Sequence, residues 1–279
     1  MSALADFYGD YKRFLVIGLG AFLSFAPLVA EDNAGYVLAG FEYANMGGNM
    51  LTDIISGSQG THINEPITGS LYGGDFQLGY KQFFGSSQRF GLRYYGIFSG
   101  YAGTYIRKDE NKELISKGSL SNFFYGAGMD MLYNFYDSEN RSFGLFGGVM
   151  VGGSSWELGK GYKNGECQTR EQGNGPVLPG APQPACISMD KYYQESAKRN
   201  NTDGNKASFT STYVQVVFNF GLRSNFTKHQ GFEIGVRVPV INDPYYTYQQ
   251  KSASDQDKYT INFGFRRLVA AFVNYVINF

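Results

Sequence analysis

Residues 266–279 read RRLVAAFVNYVINF, and the alternation within this stretch decides the fold class. From position 269 onward every second residue is apolar: Val269, Ala271, Val273, Tyr275, Ile277 and Phe279. A period of two is that of a β-strand, in which successive side chains point to opposite faces. We therefore predict a strand with one apolar face.

The same alternation recurs upstream. Between Leu71 and Gln82, for example, Phe76 and Leu78 share an apolar face and Asp75 lies on the other. Most segments reach the roughly 9–11 residues that a tilted strand needs to cross a bilayer. We predict about eight strands, at Gly35–Tyr43, Leu71–Gln82, Phe90–Tyr105, Asn122–Tyr136, Ser142–Trp156, Ser211–Arg223, Gly231–Ile241 and Tyr259–Phe279.

The connections between these segments alternate between short and long. Short periplasmic turns and long outer loops are typical of outer-membrane barrels. The long connections are Asn45–Ser70, Ile106–Ser121, Glu157–Thr210 and Asn242–Lys258. We predict an all-β, transmembrane, antiparallel up-and-down β-barrel of eight strands; ten strands are the alternative, because Glu157–Thr210 could hold a further hairpin.

The amino-acid composition is unusual for a water-soluble domain and agrees with a barrel whose outer surface faces lipid. Charged residues make up 17% of the 279 residues and aromatic residues another 17%, while glycine numbers 37. The mean hydropathy of −0.28 excludes a helical membrane protein. Because 24 basic residues balance 24 acidic ones, the chain has no excess of positive charge that would favour nucleic acid as a partner.

The first thirty residues have the pattern of a cleaved signal peptide. Lys12 and Arg13 precede an apolar run from Phe14 to Phe25, and the small residue Ala30 closes the segment. The apolar run is shorter than the roughly 20 residues of a spanning helix. We predict cleavage after residue 30, a barrel over residues 31–279, and location in the outer membrane of a Gram-negative cell.

Seven charged side chains fall on the predicted inner face. They could line a pore, or they could pair with one another and fill the lumen, since an eight-stranded barrel is about wide enough for side chains alone. The near balance of acids and bases favours the filled lumen, because an unpaired buried charge is costly. The seven are Glu42, Asp75, Lys81, Arg93, Asp130, Glu233 and Arg237.

The terminal strand also carries a predicted assembly signal, formed by Tyr275, Ile277 and Phe279. A barrel strand that ends on an aromatic residue is similar to the signal by which outer-membrane barrels are recognised for assembly. We therefore expect the barrel-assembly machinery as a partner, beside outer-membrane lipid and lipopolysaccharide.

Both ends of the sequence resemble the Helicobacter outer-membrane protein family. The features that carry the resemblance are Arg266 and Arg267, the ending Asn274–Phe279, and the predicted mature start Glu31–Gly35 followed by an aromatic strand. That family comprises β-barrels related to porins and adhesins, so the resemblance implies a surface-exposed barrel. The chain leaves no room for the sizeable extracellular domain of the large adhesin members before its barrel, and no functional residue is transferred by position.

The connection Glu157–Thr210 is the predicted functional region, because loops on a rigid scaffold carry function. It holds Cys167 and Cys186, which in an exported protein most often form a disulfide. The alternative is a flexible cover without a dedicated ligand. Aromatic residues near strand ends predict girdles at the lipid headgroups; on the outer side these are Tyr101, Tyr105, Trp156, Tyr213, Tyr245 and Tyr246.

The leading functional hypothesis is a surface anchor whose long outer loops contact a host surface ligand or the environment, as an adhesin does. A small porin-like channel is the first alternative. A secreted lipocalin-like lipid binder is the second, although its apolar face would point inward. We predict no metal and no cofactor; His62 and His229 lie far in sequence from Cys167 and Cys186. We predict no enzyme, because His229 falls in a predicted periplasmic turn and His62 is the one histidine on the outer side.

Overall fold

The computed structural model describes residues 33–85, 89–138, 141–171, 183–202, 204–250 and 257–279. The predicted signal peptide, residues 1–30, and the predicted mature start at Glu31 lie outside the described residues. In the part of the chain that is described, no helix is long and apolar enough to cross a membrane.

The described residues form twelve strands and one helix. In chain order they are β1 (Asn33–Ser56), β2 (Gln59–Phe84), β3 (Phe90–Lys108), β4 (Leu114–Ser138), β5 (Arg141–Leu158), β6 (Tyr162–Lys163), β7 (Glu166–Cys167), α1 (Met189–Asn200), β8 (Lys206–Phe209), β9 (Thr212–Asn225), β10 (Gln230–Pro239), β11 (Asp243–Gln249) and β12 (Asp257–Asn278).

Eight of these strands close into a ring. Their order is β1-β2-β3-β4-β5-β9-β10-β12, every neighbouring pair is antiparallel, and β12 pairs with β1. The predicted antiparallel barrel is therefore confirmed, with the lower of the two predicted strand numbers. Strands β6, β7, β8 and β11 lie outside the ring, beyond its outer end.

The pairing register sets the width of the barrel. A path through directly paired residues leaves β1 at Ala34 and returns to it at Ala44, ten residues further along the strand. A staggered ring of this kind tilts its strands by about 35–45° and leaves an interior that side chains can fill. The path runs through Ala34, Lys81, Arg93, Asp130, Gly148, Asn219, Arg237, Ala270 and Ala44.

Several strands continue past their predicted outer ends. Strands β1 and β2 stay paired to Ser56 and Gln59, where Gly57 takes a positive φ of 59° in the turn. Most of Asn45–Ser70 is therefore a paired hairpin and not a loop. Beyond the membrane, outward positions such as Asn49 and Asp53 need not be apolar, so the period-two signal stops although the strand continues.

The outward face of the ring is an apolar belt, and the inward face carries the buried charged and amide side chains together with apolar ones. This polarity is the reverse of a soluble lipid-binding barrel. Exposed large side chains on the belt include Phe41, Tyr72, Phe98, Met131, Phe220, Ile234 and Val273. The inner face also holds buried large apolar residues that alternation alone does not predict, among them Tyr36, Leu38, Tyr95, Phe124 and Phe146.

The predicted outer girdle is wrong for most of its members. Of its six residues only Tyr213 is exposed; the others are buried. Their rings join a hydrophobic core at the outer end of the barrel, because α1 and β11 pack there and cover them. The five buried residues are Tyr101, Tyr105, Trp156, Tyr245 and Tyr246.

Closure of the ring can be tested by crosslinking β1 to β12. Phe41 lies directly opposite Val273, and directly paired residues have the Cα separation that a disulfide requires. We expect Phe41→Cys/Val273→Cys to crosslink under mild oxidation, detected by mass spectrometry of the digested protein. The offset pair Phe41→Cys/Tyr275→Cys should crosslink far less, and equal crosslinking of both pairs would contradict the register.

Candidate functional site in the lumen and at the outer mouth

A first group of buried charges, the inner ion cluster, joins β3, β4 and β10. Arg93 Nε lies 2.6 Å from Asp130 Oδ2, and Arg93 Nη1 lies 2.5 Å from Glu233 Oε1. Tyr95 donates a hydrogen bond of 3.0 Å to Asp130 Oδ1. The guanidinium also lies 4.4 Å from the centre of the Phe146 ring. One arginine therefore holds two carboxylates across the lumen.

A second group, the outer ion cluster, joins β1, β2, β10 and β12. Arg237 pairs with Glu42 and, at 2.7 Å, with Asp75 Oδ2. The amides of Gln77 and Asn274 each donate to Asp75 Oδ2 at 3.2 Å. Charge-assisted bonds of this kind offset the cost of removing ions from water.

All seven predicted inward charges are buried, and six of them lie in the two ion clusters. Lys81, the seventh, is buried on the same inner face. Arg223, Arg267 and Asp243 are buried as well. Alternation places Arg223 on the polar face of its strand, but it does not predict the burial of Arg267 or Asp243. Among the described residues, the buried charged side chains thus number five acids and five bases.

Arg267 points inward because of a β-bulge. Strict alternation from Val269 would turn it outward, but the register between β1 and β12 shifts at Asn45 and Met46. Leu268 and Val269 are both exposed in succession, which reverses the faces beyond them. The double arginine, Arg266 and Arg267, has no local sequence signal of the bulge beside it.

The outer mouth carries a folded segment that we name the outer cap: β6, β7, α1 and β8, in residues 159–171, 183–202 and 204–209. Its helix was not predicted, although the signals are present. Ser188 Oγ accepts a hydrogen bond from Lys191 N and caps the helix. Met189, Tyr193 and Ala197 recur at a spacing of four and form its buried face.

Helix α1 docks on the hydrophobic core at the mouth. The Tyr193 ring lies 4.8 Å from that of Tyr246 and 5.5 Å from that of Phe263. Arg107 on β3 donates to the Tyr193 hydroxyl at 3.2 Å and pairs with Glu65 on β2 at 2.9 Å. The helix is therefore held against strands from opposite parts of the ring.

Two carboxylates fix the outer mouth further, one half-buried on α1 and one buried on β11. Asp190 Oδ1 accepts from the Tyr245 hydroxyl at 2.5 Å and from Leu158 N at 2.9 Å, and Trp156 Nε1 donates to Asp243. Burial raises the pKa of Asp190 above its ordinary value and that of Asp243 to about 7. These hydrogen bonds join α1 and β11 to the end of β5.

The disulfide between Cys167 and Cys186 is present. It ties β7 to the segment that leads into α1. Beside it, Ile187 N donates to Thr169 O at 2.9 Å and Thr169 Oγ1 donates to Ile187 O at 2.6 Å. In its described parts, the connection from 157 to 210 thus forms a folded cap with short strands, a helix and a disulfide.

The predicted assembly signal lies on the outward face of β12, where Tyr275 is exposed and Ile277 and Phe279 are half-buried. Phe279 N donates to Gly35 O at 3.0 Å, so the end of the chain is paired to the start of β1. A side chain at Gly35 would meet the Phe279 ring at 3.1 Å.

Comparison with known proteins relates the chain to a family of bacterial outer-membrane proteins. Residues 75–279 match the family described as Helicobacter outer membrane protein. No curated protein matches the sequence. Among the solved structures that match is OprG of Pseudomonas aeruginosa, with 10% identity, a TM-score of 0.46 and coverage of 90% of this chain and 99% of that one. The protease OmpT of Escherichia coli matches with 9% identity, a TM-score of 0.34 and coverage of 91% and 99%. Neisserial surface protein A matches with 12% identity, a TM-score of 0.27 and coverage of 86% and 95%.

The outer ion cluster should be sensitive to loss of its cation. In Arg237→Met, Glu42 and Asp75 lose their shared partner, and breaking a buried pair in this way costs about 3–5 kcal/mol. We expect a lower midpoint of urea unfolding in lipid vesicles. The neutral triple variant Arg237→Met/Glu42→Gln/Asp75→Asn should regain much of the loss. Wild-type stability of Arg237→Met would contradict the cluster's role.

The disulfide should stabilise the cap and not the barrel. Its two cysteines are 19 residues apart, and a crosslink closing such a segment contributes about 3 kcal/mol. In Cys167→Ser/Cys186→Ser we expect faster trypsin cleavage between residues 159 and 210, mapped by mass spectrometry. The heat-dependent gel mobility of the barrel should stay unchanged. Loss of that mobility shift, or unchanged cleavage of the cap, would refute the claim that the disulfide stabilises the cap alone.

Proposed function

The chain belongs to the Helicobacter outer membrane protein family, and we propose that it is a closed barrel anchor in the outer membrane, displaying a folded outer layer for adhesin-like contact with host or environmental molecules. The observation that carries the proposal is the outer cap. A helix, a disulfide and long paired hairpins together form an ordered surface beyond the apolar belt.

An ordered surface suits recognition, because binding then costs little conformational entropy. The exposed side of α1 presents Lys191, Gln194 and Lys198, while its other side is buried in the core at the mouth. Gln194 and Lys198 therefore face outward from a docked helix, while Lys191 Nζ pairs with Glu171 Oε1 at 2.8 Å.

The porin-like alternative receives less support. Two ion clusters occupy the inner face, and α1 packs over the outer mouth. An open channel would require these groups to part and to be rehydrated. The secreted lipocalin-like alternative receives none, since the family is one of the outer membrane and the apolar belt faces outward.

We also propose the partners that the sequence indicates. The apolar belt contacts outer-membrane lipid, with lipopolysaccharide at its outer edge, and Tyr275, Ile277 and Phe279 are read by the barrel-assembly machinery. Catalysis does not belong to the proposed function. His62 Nδ1 lies 2.6 Å from Asp53 Oδ1, but both side chains are accessible at the end of an outer hairpin.

Contact by the outer layer can be tested on living cells. We expect a non-adherent bacterial strain that expresses the protein to be retained on epithelial monolayers after washing. The variant Gln194→Glu/Lys198→Glu should be retained less, because it changes the charge of the exposed side of α1 and keeps both its buried side and the ion pair between Lys191 and Glu171.

The matched control is Lys228→Glu, in the turn between β9 and β10 on the opposite end of the barrel, which should be retained like the wild type. Surface levels are equalised by labelling intact cells. Retention of the wild type no better than of cells without the protein would refute adhesin-like contact.

A further inference from the structure

A polar cavity of about 550 Å³ lies on the outward face of the sheet where β1, β12, β11 and β8 run side by side beyond the barrel. We name it the outer pocket. Its volume falls within the range of about 300–1,000 Å³ that is usual for small-molecule sites. The side chains on which the inference depends are Asp53, Lys206, Ser208, Thr247, Lys258 and Thr260.

The strand register brings these groups onto one face. Asp53 pairs with Thr260, Thr260 with Gln249, and Gln249 with Lys206, across four strands. One pair further along, Asn262 is opposite Thr247. Directly paired residues point to the same side of a sheet. The outer pocket is thus a surface fixed by backbone pairing.

The lining is rich in groups that both donate and accept hydrogen bonds. Ser208 Oγ and Thr247 Oγ1 lie 2.7 Å apart, and Thr260 Oγ1 donates to Asp53 Oδ2 at 3.4 Å. Gln249 and Asn262 add two amides. Hydroxyls and amides match the dense hydroxyl pattern of a sugar ring, which also donates and accepts at each oxygen.

The charge of the outer pocket favours an anion. Lys206 and Lys258 are exposed, and neither forms an ion pair within the described residues. The carboxylate present, Asp53, is already engaged by His62 at 2.6 Å, and that hydrogen bond lowers the pKa of Asp53. Two ammonium groups therefore face one carboxylate that is already hydrogen-bonded, which leaves the outer pocket with an excess of positive charge.

We propose that the outer pocket binds an acidic saccharide, with the hydroxyl and amide side chains on the sugar rings and Lys206 and Lys258 on a carboxylate, phosphate or sulfate group. The inference rests on the proposed function, since the site must face the outside. Such a saccharide can belong to lipopolysaccharide of the same membrane or to a free glycan. The outward face of the sheet, beyond the apolar belt, is accessible to both.

The test uses full-length mature protein in neutral-lipid nanodiscs. The soluble probe is a chondroitin sulfate tetrasaccharide, with maltotetraose as the uncharged comparison. The membrane probe is rough lipopolysaccharide with a phosphorylated core, mixed into the disc lipid and scored by co-purification. We expect Lys206→Gln/Lys258→Gln to bind about tenfold more weakly, because two charge-assisted bonds are lost.

Lys117→Gln/Lys160→Gln removes the same charge from exposed positions elsewhere on the outer surface and should bind like the wild type. Thr247→Trp fills the outer pocket without changing its charge and should also weaken binding. Each variant must keep its heat-dependent gel mobility. Binding of the tetrasaccharide identifies a free glycan as the source, and selective retention of lipopolysaccharide identifies the membrane.

Equal binding by the wild type and both pocket variants would overturn the inference, as would an absence of binding to either acidic probe or equal affinity for maltotetraose. The proposed function fails separately. If cells are retained on monolayers while neither acidic probe binds, the outer layer makes contact by another surface and only the saccharide site is refuted.

Discussion

Pairing between β1 and β12 is the constraint on which the rest of the structure depends. In hydrocarbon an unpaired backbone N–H or C=O costs several kcal/mol, so a sheet that crosses the membrane must leave no edge. Here the first and last strands of the ring meet over most of their length. Eight strands with a ten-residue stagger then fix a narrow interior.

A narrow interior decides which side chains can lie in it. Charged groups there have little access to water, so an unpaired charge is costly, and Glu42, Asp75, Asp130 and Glu233 each pair with Arg93 or Arg237. The same closure leaves apolar side chains on the outside, where lipid replaces water. Above the belt the strands continue, and their inward residues form the core on which α1 docks.

Much of this arrangement could be predicted from sequence, because a barrel wall has a short and regular period. Alternating apolar residues, as around Phe76 and Val273, predict the strands of the ring. The polar residues that alternate with them predict which charged side chains point inward. The period-two alternation predicts the facing of side chains only where a strand is regular and one of its faces contacts lipid. Leu268 is an extra residue in β12 that exchanges the inward and outward faces, so alternation does not predict that Arg267 points inward. Outside the membrane, the outward residues of β1 no longer need to be apolar.

The outer cap could not be predicted in the same way, since its order comes from contacts distant in sequence. Trp156 looks like an interfacial residue until Asp243 is placed beside its Nε1. Tyr193 is buried by Tyr246 and Phe263, which follow it by more than fifty residues. Local signals such as Ser188 mark the start of α1 but say nothing about the surface on which the helix packs.

The central claim is that the barrel is closed within by its ion clusters and above by α1. Planar-bilayer recording with the refolded, heat-modifiable protein tests it most directly. The account predicts insertion without steady conductance at moderate voltage. Stable, reproducible conductance steps from the wild-type protein would contradict it, because they would require a continuous water-filled path through the lumen.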